Sequence, residues 1–238
     1  YHESNCAFNN AANATLEIDN VDVTAYCVLT AGNNSTTTIK NSDLNFYAYN
    51  DTENNLIVNN GNLTLDHVNA STPYNVIRQN TGTLNINSST ITSRGTENYS
   101  YITLYNNGGT VTVTNSTIEN TRMDAIHGSR EVFEQYNGGS TTINSSTVSG
   151  IMSLRTGKTQ MNNSHYICDS TRSTRCVNIQ TDTTAGFSNT QLDVMPYSYN
   201  YSTTTRDGSI TNHGSITFSN KSKVIAKASK SDARIVSS

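Results

Sequence analysis

The sequence contains no tryptophan, only two prolines among 238 residues, and few charged side chains. Asp, Glu, Lys and Arg together make up 14% of the chain and give a formal net charge of -3. A nucleic-acid-binding face requires an excess of Lys and Arg, so this balance argues against nucleic acid as a partner. The chain also lacks an apolar run long enough to cross a bilayer, and we therefore expect no direct membrane insertion of this segment.

Asparagine, serine and threonine take the place of the missing charges, and they recur in a repeated phrase. Residues 109–118 read Gly-Thr-Val-Thr-Val-Thr-Asn-Ser-Thr-Ile, and residues 82–91 and 139–148 follow the same pattern. The second apolar residue of each copy serves as an anchor. Nine anchors can be identified: Ile18, Ile39, Leu65, Ile86, Val113, Ile143, Met161, Phe187 and Phe218. Nine copies spaced 18 to 31 residues apart indicate a repeat architecture.

Each repeat is predicted to form one coil of a right-handed parallel β-helix. Alternation of apolar and polar residues is typical of a strand, and a unit this short can bury its apolar side only by stacking on its neighbours. The bend after each anchor carries Asn in six copies, and Asn is the non-glycine residue that best tolerates a left-handed backbone. We expect these Asn amides to bond from coil to coil. The prediction is a single all-β domain over residues 1–238, with about nine coils and three short strands per coil.

The four cysteines fit this repeat register. Cys6 and Cys27 each lie 12 residues before an anchor, Ile18 and Ile39 respectively. Equivalent positions in adjacent coils are about 4.8 Å apart, which a disulfide can span. The register therefore predicts a Cys6–Cys27 disulfide, and Cys168 and Cys176 are expected to close a local loop. Zinc would favour Cys-x-x-Cys steps with His partners, so we predict no metal and no cofactor. Paired cysteines indicate an oxidising compartment.

Two of the longest gaps between anchors predict loop insertions, near residues 119–138 and 195–212. The first is the most charged and least repetitive stretch, and it contains Arg122, His127, Arg130, Glu131 and Glu134. The end of the chain from Lys221 onward is basic, and it reads either as a final rung or as the start of a linker.

The phrase at 109–118, with its echoes at 61–70, 82–91 and 139–148, resembles the passenger domains of bacterial autotransporters, within the wider pectin-lyase-like β-helix group. The resemblance covers nearly the whole chain as a repeat style. In that family, a β-helix rich in Asn, Ser, Thr and Gly is exported through an outer-membrane barrel, and many members are adhesins. The resemblance implies an extracellular or bacterial cell-surface location and a role in attachment or virulence.

An enzyme on this scaffold would align carboxylates and basic residues on adjacent coils. Polygalacturonase-like enzymes carry an Asn-Thr-Asp motif, whereas this chain has Asn189-Thr190-Gln191, with an amide in the position of the acid. The nearest group to a catalytic cluster is His127, Arg130, Glu131 and Glu134, which could supply a general acid and base. A flexible loop would position such groups poorly, so we predict no catalytic residues and no enzymatic activity.

Tyrosine is the second candidate for function. Tyrosines repeat at every second position in three places, so each set is expected to point to one side of a strand. They could stack on sugar rings or anchor a protein interface, or they could reflect the ordinary strand preference of Tyr. The predicted ligand-binding residues are Tyr47, Tyr49, Tyr99, Tyr101, Arg122, His127, Arg130, Tyr197, Tyr199 and Tyr201.

The outward rows of Thr, Ser and Asn provide a third possibility, because a regular polar face could zip against an identical molecule. The sequence thus predicts a surface-exposed adhesin that binds host glycan or matrix protein, or its own copies on neighbouring cells. The alternatives are a polysaccharide lyase or hydrolase, and a structural spacer that holds another domain away from the cell.

Overall fold

The computed structural model describes residues 6–46, 55–96, 99–122, 127–128, 131–169, 175–195, 209–226 and 236–237. These residues form a parallel β-helix, and every strand pairing among them is parallel. No helix occurs in the described ranges, and so none that could span a membrane. Each full coil contributes one strand to a first sheet and two strands, separated by a corner, to a second sheet.

The first sheet has ten strands: β1 (Phe8–Asn10), β4 (Leu29–Ala31), β6 (Asn55–Asn59), β8 (Asn75–Gln79), β12 (Leu104–Asn107), β16 (Glu131–Tyr136), β19 (Ile151–Leu154), β22 (Val177–Ile179), β25 (Ile210–Asn212) and β28 (Val236–Ser237).

Nine strands of the second sheet carry the anchors: β2 (Thr15–Asp19), β5 (Thr36–Phe46), β7 (Asn62–Thr72), β9 (Thr83–Asn87), β13 (Thr110–Thr114), β17 (Ser140–Asn144), β20 (Gly157–Asn162), β23 (Thr183–Ser188) and β26 (Ser215–Ser219). Strands β5 and β7 continue through the corner. The other coils resume after it as β3 (Asp22–Ala25), β10 (Thr90–Ser93), β14 (Thr117–Asn120), β18 (Thr147–Ser149), β21 (His165–Asp169), β24 (Gln191–Met195) and β27 (Lys223–Ala226). A separate two-stranded sheet pairs β11 (Tyr99–Ser100) with β15 (His127–Gly128).

The predicted repeat register is confirmed at every step. Ile18 pairs with Ile39, Val113 pairs with Ile143, and Phe187 pairs with Phe218, as do the anchors between them. The first eight anchors are buried, and together with inward residues of the first sheet they form one continuous apolar core. The sequence spacing therefore predicted both the fold and the order in which the coils stack.

All nine corners use a left-handed backbone. The six predicted Asn residues have φ between 46° and 55°, and the three corners without Asn place His67, Ser88 and Ser145 in the same conformation. The expected ladder of corner amides is present at one step, where Asn189 Nδ2 donates to Asn163 Oδ1 at 2.8 Å. A longer amide ladder lies at a different turn, after the first sheet. It joins Asn60, Asn80, Asn107 and Asn137.

A buried hydroxyl ladder, absent from the sequence predictions, lies just inside the corners. Ser116 Oγ accepts a hydrogen bond from Ser89 N of the preceding coil at 3.0 Å and donates to its own Thr114 O at 2.7 Å. Ser146 Oγ repeats this arrangement with Ser116 N and Asn144 O. These serines are buried, so the hydroxyls supply both a donor and an acceptor where water cannot reach. The hydroxyl residue that directly follows each of these corners therefore lies in the interior and not on the surface.

Both predicted disulfides are present. Cys6 and Cys27 have Cα atoms 4.4 Å apart and join adjacent coils, while Cys168 and Cys176 have Cα atoms 5.7 Å apart and close a local loop. Two disulfides indicate an oxidising environment, either extracellular or periplasmic.

The predicted insertion near 119–138 is wrong over its second half. Residues Glu131–Tyr136 form β16, an interior strand of the first sheet between β12 and β19. Its polar residues have partners inside the fold: Gln135 is fully buried and accepts hydrogen bonds from Thr141 of its own coil and Thr159 of the next. The second predicted insertion, near 195–212, is likewise too long at its end, because Ile210–Asn212 form β25. Residues 196–208 lie outside the described ranges.

Candidate functional site

A ladder of aromatic rings runs along the edge where the chain passes from the second sheet to the first. Tyr26, Phe46, Tyr74 and Tyr101 come from four successive coils, and we call them the aromatic edge. Successive ring centroids are 6.0, 4.9 and 5.1 Å apart in edge-to-face contacts. Tyr26 is 48% exposed and Tyr74 is buried, so the ladder presents a partly exposed apolar stripe rather than a flat platform.

Four of the ten predicted ligand-binding residues lie in segments along this edge. The backbones of Tyr99 and His127 pair in register on β11 and β15 of adjacent coils. Asn120 Nδ2 donates to Tyr101 O at 2.7 Å, and Arg122 N donates to Asn120 Oδ1 at 3.0 Å. The structure thus brings these backbone segments together. The remaining six, Tyr47, Tyr49, Arg130, Tyr197, Tyr199 and Tyr201, lie outside the described residues, so their assignment stays a prediction.

A second cluster of aromatic and cationic side chains covers the outer face of the first sheet. The Arg78 guanidinium lies 5.5 Å from the centre of the Tyr105 ring, and Arg155 lies 4.8 Å from that of Tyr136. The two tyrosine rings meet edge to face at 5.5 Å. Arg155 Nη2 also lies 3.0 Å from Glu134 Oε1, so the charge of this nearly buried carboxylate is paired. Glu134 therefore has a packing partner 21 residues away and is not part of a loop cluster.

This cluster changes the acidity of its tyrosines. Partial burial, followed by the neighbouring Glu134 carboxylate, raises the pKa of Tyr136 to about 12. The same two causes raise the pKa of Tyr105. Both phenols therefore stay protonated to a higher pH than a tyrosine in water does.

An open groove of about 490 Å³ lies outside the corners of four successive coils, those of the anchors Ile143, Met161, Phe187 and Phe218, and we call it the corner groove. It is lined entirely by polar side chains: Ser145, Ser146, Thr147, Asn163, Ser164, His165, Asn189, Thr190, Gln191, Lys221 and Lys223. The repeat produces this lining directly, because each coil contributes the exposed corner residue and the first outward residue of the next strand. The residues between them, Ser146, Ser164 and Thr190, are buried, and their hydroxyls already donate to backbone carbonyls. The groove therefore extends across all four of these coils.

A hydrogen-bonded His–Asp pair lies beside the groove. His165 Nε2 lies 2.7 Å from Asp193 Oδ2, and Gln191 Nε2 lies 3.0 Å from both oxygens of that carboxylate. Partial burial alone would raise the pKa of Asp193, but the hydrogen bonds from His165 and Gln191 outweigh it and leave the pKa below its ordinary value. Asp193 is thus a carboxylate at neutral pH whose oxygens already have donors.

Sequence reasoning identified the tyrosine and insertion residues but missed the corner groove. Its signal was present in the repeat, since the Asn-Ser-Thr triplet after each anchor recurs as Ser145-Ser146-Thr147, Asn163-Ser164-His165 and Asn189-Thr190-Gln191. Within the described ranges, no group of three or more His, Cys, Asp or Glu residues is placed to hold a metal ion.

No protein family model, curated protein or solved structure matches this chain.

Proposed function

We propose that this chain is the β-helical part of a surface-exposed, secreted bacterial adhesin that binds a polysaccharide without cleaving it. The observation that supports this function best is the corner groove. Its accessible side chains, such as Thr147, Asn163 and Asn189, offer donors and acceptors on a regular spacing of about 4.8 Å per coil. A polysaccharide has a matching kind of surface, since it is extended, repetitive and rich in hydroxyl groups.

The rigidity of the scaffold supports the same proposal. The groove residues lie on strands and corners whose backbone bonds run from coil to coil, such as His165 N to Ser146 O at 2.9 Å and Gln191 N to Ser164 O at 3.0 Å. A site on such elements loses little conformational freedom when a ligand binds. Each contact is weak, but many contacts along one chain, and many copies on one cell, multiply into firm attachment.

The experiment is a binding assay of the purified chain against a panel of soluble polysaccharides, with a variant that fills the groove. Thr147→Tyr should lower affinity at least tenfold, because the larger side chain occupies the groove while remaining compatible with a strand. Thr90→Tyr is the matched control, since Thr90 lies in the same outward row two coils earlier and does not line the groove. The proposal is wrong if no polysaccharide binds, or if both variants weaken binding equally.

The same incubations separate binding from catalysis. We expect neither new reducing ends nor unsaturated products from any polysaccharide that binds. A cell-attachment assay, in which this segment is replaced by an unrelated β-helix of equal length, separates an adhesin from a spacer. Attachment should fall with the replacement, whereas unchanged attachment would identify a spacer.

A further inference from the structure

The outward row that starts each strand after the corner changes its charge along the β-helix. In register from the first coil to the last, this row consists of Asp22, Asp43, Asn69, Thr90, Thr117, Thr147, His165, Gln191 and Lys223. The first two coils are acidic, the middle coils are neutral, and the last is basic. The corner groove covers only the neutral and basic part of this row.

Two lysines give the groove its charge. Lys221 and Lys223 are both exposed and both line the groove, on either side of the hydroxyl of Ser222. Neither forms a salt bridge with an Asp or Glu among the described residues, in contrast to Lys40, which pairs with Glu17 at 2.9 Å. Their ammonium groups are therefore available to a ligand.

A carboxylate beside the groove offsets part of this charge. Asp193 accepts hydrogen bonds from His165 and Gln191, and the nearby charge of Lys223 also helps to lower its pKa. One carboxylate therefore stands against two lysines, and the groove keeps an excess of positive charge. The protein as a whole has a formal net charge of -3, so a polyanion is not attracted to the molecule in general. Any attraction must come from a local site.

We infer that the ligand of the corner groove is an anionic polysaccharide, held by Lys221 and Lys223 through its carboxylate or sulfate groups. This inference rests on the proposed function and specifies its ligand class. The neutral hydroxyl and amide side chains of the preceding coils bind the sugar hydroxyls, and the lysines select for charge. Asp22 and Asp43 of the first two coils repel the same polysaccharide if it extends past the neutral coils, so the bound chain is confined to the later coils.

The test uses one sugar backbone with three charge states: dextran, carboxymethyl-dextran and dextran sulfate. At low ionic strength, we expect at least one charged form to bind tenfold or more tightly than dextran, and added salt should reduce that advantage. The two charged forms distinguish carboxylate from sulfate as the group that is recognised. The Lys221→Gln/Lys223→Gln double variant should bring the charged forms to within about threefold of dextran.

Lys223→Glu tests the site by reversing one of its charges, and Lys158→Glu is the matched control. Lys158 is also exposed and lies on β20 of the second sheet, outside the groove, so both variants change the net charge equally. Lys223→Glu should abolish the preference for charge, while Lys158→Glu should leave it within twofold. If the two substitutions reduce the preference for charged dextran equally, the assignment of the lysines to the binding site is wrong.

The outcomes also separate this inference from the proposed function. If all three dextrans bind equally and Thr147→Tyr weakens them, glycan binding stands and the preference for anions is wrong. If no polysaccharide of the panel and none of the three dextrans binds, both proposals fail. Circular dichroism of each variant verifies that a loss of binding is not a loss of fold.

Discussion

Phe187 and Phe218 stack in parallel, with ring centroids 5.3 Å apart and an interplanar angle of 18°, yet their burial differs sharply. Phe187 is 1% exposed, whereas Phe218 is 39% exposed. Both occupy the anchor position of the repeat, and their strands pair in register. The difference arises because Phe187 has a coil on each side, while Phe218 belongs to the last full coil of the described chain. Two residues at the same position of the repeat therefore contribute different amounts to the free energy of unfolding.

Replacing the two rings should reveal this inequality. Phe187→Ala removes a fully enclosed ring and should lower the free energy of unfolding by about 3–5 kcal/mol. Phe218→Ala removes a ring that is already partly in water and should cost roughly 1–2 kcal/mol. Urea unfolding followed by circular dichroism measures both. A loss at Phe218 equal to that at Phe187 would show that the last coil is covered.

The corner conformation gives a second prediction. Asn115 has φ of 51° and an exposed side chain, so changing it tests the backbone with little change in packing. Asn115→Ala should lower the free energy of unfolding by about 1 kcal/mol, because alanine lacks the short polar side chain whose local hydrogen bonds allow Asn to tolerate the left-handed region. Asn115→Gly should cost less than Asn115→Ala, since glycine adopts this conformation freely. Thermal denaturation of the pair is the measurement, and equal losses would contradict a conformational cause.

A third prediction concerns an interior hydroxyl. Tyr166 is fully buried, and its Oη lies 2.7 Å from Gly150 O and 2.6 Å from Cys176 O. Tyr166→Phe leaves the ring in place but removes the donor shared by these carbonyls, which should cost roughly 1–3 kcal/mol. Tyr105→Phe, at a partly exposed residue on the outer face of the first sheet, is the control and should change the free energy of unfolding by less than about 0.5 kcal/mol. If Tyr166→Phe leaves the free energy of unfolding unchanged, the two carbonyls have found other hydrogen-bond donors.

The repeat pattern predicted the stacking because the anchors obey a local rule: each is apolar, flanked by polar residues and followed by a turn-forming pair. The disulfide between Cys6 and Cys27 followed from the same register. His67, Ser88 and Ser145 show that the corner geometry does not depend on Asn, since the strands on either side impose it. Composition therefore identified six corners, and stacking explains the other three.

The features that sequence analysis missed all depend on partners in other coils. Gln135 looks like a surface residue until Thr159 of the next coil is placed against it, and Glu134 looks like a loop acid until Arg155 is placed beside it. The spacing between such partners varies with every insertion, so no fixed offset reveals them. Sequence analysis missed the corner groove for the same reason, because its lining residues come from four different coils.

Alkaline titration of Tyr136 provides the final prediction. Burial and the Glu134 carboxylate raise its pKa to about 12 in the folded protein, against about 10 in the unfolded chain. Between these values the folded state holds a proton that the unfolded state has released, so stability must fall as pH rises. Below about pH 10 both states are protonated, and Tyr136 contributes no pH dependence.

Thermal unfolding between about pH 9 and 12 should therefore show a decline that Tyr136→Phe makes shallower, because phenylalanine has no proton to lose. Ultraviolet titration of the tyrosinates should show one late-titrating group fewer in the same variant. Tyr26→Phe is the comparison, since Tyr26 is half exposed and lies outside this cluster, and it should leave the slope of the decline unchanged. An equal slope for the wild type and Tyr136→Phe would mean that the phenol is open to water, and that the cluster of Arg78, Tyr105, Tyr136 and Arg155 does not close over the first sheet.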